Sequence, residues 1–233
     1  AFWKQMHLKN AIPRPEFSLC FTRSNESGRD ASAAGAMTLG GVDPRLHSSP
    51  MVFAKNVKGS GFYAVHLKAV YLREGGGVSA QMTPVDMGRI HNLGLSESQL
   101  NDGNVIVDSG TTDTYFSSVL SAPFKKAWKE LTGMDYNHNP LALSAEEVDA
   151  LPSIILVMSG FDGNAVGDEP DGDPNDIANY VGTTNLSENP RDVVIAIPAA
   201  HYMEYDADKN KYVPRFYTEE SSGSVLGANA MMG

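Results

Sequence analysis

The segment Val105-Ile106-Val107-Asp108-Ser109-Gly110-Thr111-Thr112 puts a carboxylate at the end of an apolar run and surrounds the next glycine with hydroxyl residues. A carboxylate beside buried strand residues loses hydration, a cost offset only when its oxygens receive hydrogen bonds. Ser109, Thr111 and the Gly110 N–H are spaced to supply them. Glycine permits the sharp turn that folds the loop back on the acid. An acid held in this way is placed for proton transfer. Asp-Ser-Gly is also a common turn sequence, with Asp bonding its own backbone two residues on.

Other residues capable of chemistry are less ordered. The run from Asp162 to Asp176 is acidic and invites a calcium reading, but it lacks the glycine and terminal Glu of an EF-hand at their required offsets. A solvated insertion over 162–191 is the better reading. Asp206, Asp208 and Asn210 alternate in the manner of a hairpin turn. The six histidines form no His-x-x-x-His or Glu-x-x-His pair, and a single cysteine, Cys20, rules out an intrachain disulfide framework and any Cys-based zinc site. No metal and no cofactor is expected. Asn25-Glu26-Ser27 and Asn185-Leu186-Ser187 are glycosylation sequons in expected loops, suited to a secreted chain.

The elements that must position Asp108 are mostly strands. Alternating or apolar runs predict them at 17–22, 36–39, 51–54, 63–72, 104–107, 153–158, 193–197 and 211–217. The stretches 24–34 and 75–103 are polar and contain glycine; the first predicts a turn or loop and the second a loop or irregular hairpin. Two or three helices are expected, among them a short one over 2–10 ended by Pro13 and Pro15 and a second over 117–131. In the second, Val119, Leu120, Phe124, Ala127, Trp128 and Leu131 recur at spacings of three and four before Gly133 stops it. The expectation is a mainly β chain of about ten short strands with a few short helices.

The 233 residues carry a net charge of −10, with 42% apolar and 20% charged residues, the balance of an ordinary globular chain. The acidic excess argues against electrostatic capture of nucleic acid or an anionic membrane. No apolar run approaches a membrane span; the longest, Ile154 to Met158, is five residues.

In its motifs the chain resembles the C-terminal lobe of the pepsin-like aspartic proteases. Ile106-Val107-Asp108-Ser109-Gly110-Thr111 matches the family's catalytic loop, and Ser224-Val225-Leu226-Gly227 matches the hydrophobic–hydrophobic–Gly segment that threads beneath it. Three further matches keep the family's order: Phe17 to Phe21 with Leu39-Gly40-Gly41-Val42-Asp43, then Phe62-Tyr63-Ala64-Val65, then Leu151-Pro152-Ser153-Ile154.

The resemblance implies a closed, barrel-like lobe spanning residues 1–233, in a protein that continues beyond both ends. It implies an aspartic endopeptidase with Asp108 as one member of a catalytic dyad and the other in an N-terminal lobe of the same protein. Ser109, Gly110 and Thr111 would support the carboxylate, Thr112 would face a polypeptide substrate, and Gly227 would pass close beneath the loop. Asp113 is expected to be exposed. Cys20 sits in a context like the plant and protist branch, where it would bridge to a cysteine in a segment outside this chain; a buried free thiol is the alternative. An acidic compartment of the secretory pathway, vacuolar or lysosomal, or the extracellular space would suit such a protein. The second reading is a catalytically inactive relative that acts as a binding or inhibitor protein. With one Asp-Ser-Gly loop, the chain alone should show no peptidase activity.

Overall fold

Apolar runs of a few residues, punctuated by Gly, Pro and Asn, give this chain strands in preference to helices, and the protein is mainly β with a few short helices. The computed structural model describes residues 2–21, 35–47, 52–57, 59, 61–75, 90–161 and 191–232. The predicted loop 24–34, about half of the stretch 75–103, nearly all of the acidic insertion 162–191 and both sequons lie outside the described residues. Two compact units emerge, Ala1–Pro50 with Met231–Gly233, and Met51–Ala230.

In the smaller unit, α1 (Phe2–Leu8) ends before the prolines, where Asn10 turns to a left-handed φ of 55°. The alternating Phe17–Phe21 (β1) pairs antiparallel with Gly35–Leu39 (β2), setting Phe17 opposite Leu39 and Cys20 opposite Ala36. Cys20 is a half-buried free thiol.

The larger unit holds two main sheets. The first contains Ala64–Val65 (β3), Val105–Val107 (β6), Thr114–Ser117 (β7), Phe216–Glu220 (β12) and Ser224–Leu226 (β13), in the order β12-β7-β13-β6-β3. The second contains Leu67–Arg73 (β4), Ile90–Asn92 (β5), Ser153–Met158 (β8) and Val193–Ile197 (β9), in the order β5-β4-β8-β9 and antiparallel throughout. A hairpin of Met203–Asp206 (β10) and Lys211–Pro214 (β11) stands beside them in sequence.

Two predicted strands divide between sheets. The run 63–72 breaks at His66, where Asn101 takes the Leu67 N–H on its Oδ1 at 2.9 Å and donates Nδ2 to the Leu67 carbonyl at 2.7 Å. The run 211–217 breaks after Pro214, whose ring leaves no N–H to extend a ladder. The expected strand 51–54 appears only as a bridge between Ala54 and Gly160. The closed barrel-like lobe is likewise not what the described residues form. Both sheets are open, one ending in β12 and β3 and the other in β5 and β9, because the chain leaves one sheet for the other before either edge can meet its opposite.

Among the described residues, four helices accompany these sheets: α2 (Glu97–Leu100), α3 (Ser121–Thr132), α4 (Ala145–Asp149) and α5 (Ala199–Tyr202). The helical period of 117–131 is realised from Ser121 onward, after a 3-10 turn at Ser118–Leu120, and Gly133 caps it with a left-handed φ of 74°. Its buried face carries Phe124 and Trp128 into an aromatic cluster with Phe216, Tyr136 and Tyr202. The Tyr136 hydroxyl donates to the Phe216 carbonyl at 2.6 Å, which anchors β12 to this core.

Candidate functional site: the Asp108 loop

The loop between β6 and β7 is built from the strand that passes between them. Strand β13 runs parallel to β6, with Val225 opposite Ile106, and Val225 also bridges to Tyr115 of β7. On the other side of β6, Val105 and Ile106 pair with Val65 and Ala64 of β3. The Val107 N–H donates to the Tyr63 carbonyl at 2.7 Å, and the next N–H, that of Asp108, donates to the Leu226 carbonyl at 3.0 Å. The backbone of Asp108 is thus fixed from both flanking strands.

Beyond that point β6 stops being a strand. The Asp108 carboxylate turns back on its own loop, taking the Gly110 N–H on Oδ1 at 2.9 Å and the Thr111 hydroxyl on Oδ2 at 2.7 Å. The Thr111 N–H closes the turn on the Asp108 carbonyl at 3.2 Å. These bonds favour the charged form, the Thr111 bond most and the Gly110 bond next, and hold the carboxyl below the usual aspartate value. Asp108 itself is half-buried, so one side of a bonded carboxylate remains open to solvent.

Underneath, the loop lies on the segment that follows β13. The Ala228 N–H donates to the Thr111 carbonyl at 2.7 Å and the Asn229 N–H to the Thr112 carbonyl at 3.1 Å. A Cβ on Gly227 would stand 2.1 Å from the Asp113 carbonyl oxygen and 2.7 Å from that of Thr111, so only glycine fits there.

Of the residues singled out from sequence, Asp108, Gly110, Thr111 and Gly227 are brought together by hydrogen bond or close backbone contact. The Ser109 and Thr112 side chains are exposed, and the two bonds on the carboxylate come from Gly110 and Thr111 rather than from Ser109. Cys20 belongs to the other compact unit. Asp113 departs from expectation. Its side chain is only 13% exposed, and Arg215 Nη1 lies 3.8 Å from its Oδ2. Arg215 also places Nε 2.5 Å from Glu204 Oε2. Burial pushes the Asp113 carboxyl above its ordinary value, against the attraction of Arg215. The exposed reading fails because the loop turns residue 113 inward as it enters β7.

Sequence reasoning missed two buried residues of the loop's base. Asn229 is 4% exposed and Thr114 fully buried. The Thr114 hydroxyl donates to Asn229 Oδ1 at 2.6 Å and accepts the Gly227 N–H at 3.3 Å, while Asn229 Nδ2 donates to the Arg215 carbonyl at 2.9 Å. Asn229 follows Gly227 by two positions, which was the available signal: a polar side chain directly after an apolar–Gly segment. Among the described residues there is no group of three or more potential metal ligands, and no helix long and apolar enough to cross a membrane. No family model and no curated protein matches this chain.

Proposed function

We propose that this chain is the C-terminal lobe of a pepsin-like aspartic endopeptidase and that Asp108 is one carboxylate of its catalytic dyad. The observation that carries this reading is the threading of β13 between β6 and β7, which lays Gly227 under a loop whose Gly110 and Thr111 bind the Asp108 carboxylate. Motif segments far apart in sequence, 62–65, 106–111 and 224–227, adjoin in one sheet around that acid.

In the proposed reaction a second aspartate, from an N-terminal lobe of the same protein, faces Asp108 across a polypeptide substrate. Two close carboxylates resist ionising together, so they share a proton and their apparent pKa values belong to the pair. The ionised member takes a proton from a water as that water attacks the scissile carbonyl, while the protonated member hydrogen-bonds the carbonyl oxygen. The new C–O bond forms as the carbonyl π bond opens onto oxygen. Collapse of the tetrahedral intermediate re-forms the carbonyl and expels the amine, which takes the proton that the dyad removed from the water, and no covalent enzyme intermediate is needed. Thr111 and Gly110 keep the Asp108 carboxylate oriented throughout. Ser109 supports the loop by its backbone position, and Thr112 faces substrate from an exposed site. An acidic secretory, vacuolar, lysosomal or extracellular setting fits this chemistry and the net charge of −10.

The full-length protein carrying this chain should cleave polypeptides in acid, at about pH 3–5, with inhibition by pepstatin. Asp108→Asn should abolish the cleavage. Peptidase activity that survives Asp108→Asn refutes the assignment. A full-length protein that binds polypeptides without cleaving them supports the inactive binding or inhibitor relative instead.

A further inference from the structure

We propose that Thr114 and Asn229 form a buried positioning clamp that sets the place of the Asp108 carboxylate, an inference that rests on the peptidase reading of Asp108. The Gly227 N–H can only donate, so the Thr114 oxygen must accept it, and the Thr114 proton must go to Asn229. That makes the Asn229 atom facing Thr114 the amide oxygen. The amide nitrogen is then directed at the Arg215 carbonyl, which can only accept. Each bond therefore has one allowed direction, from Gly227 through Thr114 to Asn229 and from Asn229 to Arg215.

The two ends of this chain of bonds matter for the acid. Thr114 is the first residue of β7 and ends the loop that starts at Asp108. Ala228, next to Gly227, and Asn229 carry that loop's underside, donating their N–H groups to the Thr111 and Thr112 carbonyls. Thr111 is also the residue whose hydroxyl holds Asp108 Oδ2. A shift of the clamp is thus passed along the Gly227–Ala228 backbone to Thr111 and from its hydroxyl to the carboxylate. The pair is fully enclosed, so neither side chain touches substrate; both act through the loop. Asparagine is required by this pattern, since an aspartate keeps the acceptor and loses the donor to Arg215.

The test uses the full-length protein. Thr114→Val, close in shape and without the hydroxyl, should lower kcat about tenfold or more while KM stays within about twofold. It should also raise the apparent titration of the Asp108 carboxyl, followed by 13C NMR, and move the acid limb of the kcat profile in the same direction. Thr114→Ser, which restores the hydroxyl, should return kcat to within about threefold of the wild type. Asn229→Asp provides the same readouts should Thr114→Val fail to fold. A lower thermal midpoint with kcat, pH profile and Asp108 titration all unchanged makes the pair structural only and overturns the proposal. If the wild type cleaves nothing, the peptidase reading fails separately. The Asp108 titration then decides the clamp alone, and an unmoved titration in both variants overturns it.

Discussion

Strands β8 and β6 both cross the middle of a sheet, and they are held by opposite means. All six residues of β8 are buried. Ile154, Leu156 and Met158 face the main core, and Ile155 and Val157 join Tyr71 in a second apolar cluster on the other face. That strand is specified by volume on both sides, which suits a continuous apolar run. Strand β6 has three residues, of which only Val105 is fully buried. Its position comes from where individual N–H and C=O groups of Tyr63, Leu226 and the following loop fall. Bulk fixes one strand and individual polar contacts fix the other, so equal-sized changes should act very differently on the two.

The largest effect is expected at Gly227. Gly227→Ala drives a methyl into the Asp113 carbonyl and should cost more than about 4 kcal/mol, read as a fall in the urea midpoint, because backbone cannot be moved aside cheaply. An unchanged midpoint would mean that the close passage does not exist. Leu156→Ala, at a fully buried site of β8, should cost about 2–5 kcal/mol by leaving a cavity. That variant should leave the Asp108 titration where it was. A moved titration would break the contrast, because it would show the two sheets communicating.

Thr111→Val should act mainly on the acid. Asp108 titrates below its unfolded value, so its hydrogen bonds stabilise the native state above the ordinary carboxylate range, and the benefit is lost as pH falls through the lowered native value. Removing the Thr111 hydroxyl should move the titration upward and reduce that acid-side loss of stability. The smallest effect belongs to Asp113→Asn. The native Asp113 carboxyl titrates above its unfolded value, so its contribution is full in acid and is lost as pH rises through the raised native value. The variant should therefore gain thermal midpoint relative to the wild type between acid and neutral pH. A variant that loses midpoint over that range would mean the Arg215 pair outweighs burial.

Much of the scaffold was legible because it follows pattern. The unbroken apolar run at 154–158 and the helical spacing of Phe124, Ala127 and Trp128 each report burial directly, whereas the alternation at 17–21 marks a strand but not its burial, since Leu19 is exposed. Capping residues could have added two short helices. Ser96 with Gln99 and Ser144 with Glu147 form reciprocal capping boxes, the first inside a stretch that read as loop. The breaks at His66 and Pro214 were harder, because periodicity continues across them while the hydrogen-bond partner changes. At the site, the Asp108 loop stood out through local spacing. Asp113, Thr114, Arg215 and Asn229 did not, since their meeting depends on β13 lying between β6 and β7. Contacts between residues so distant in sequence leave no periodic trace.

That insertion of β13 also fixes when the site can exist. Val225 of β13 pairs with Ile106 from about 120 residues further along the chain, so the closing contact spans most of its unit. Local pieces such as helix α3 and the β10–β11 hairpin can form early and cheaply in entropy, whereas the shared partner of β6 and β7 is synthesised well after both of them. Until it arrives, β6 and β7 are separated by an unfilled gap, and Asp108 has no Leu226 carbonyl to hold its backbone. A nascent or partly unfolded chain therefore carries the acid without the geometry, and assembly of the site waits until β13 has been made.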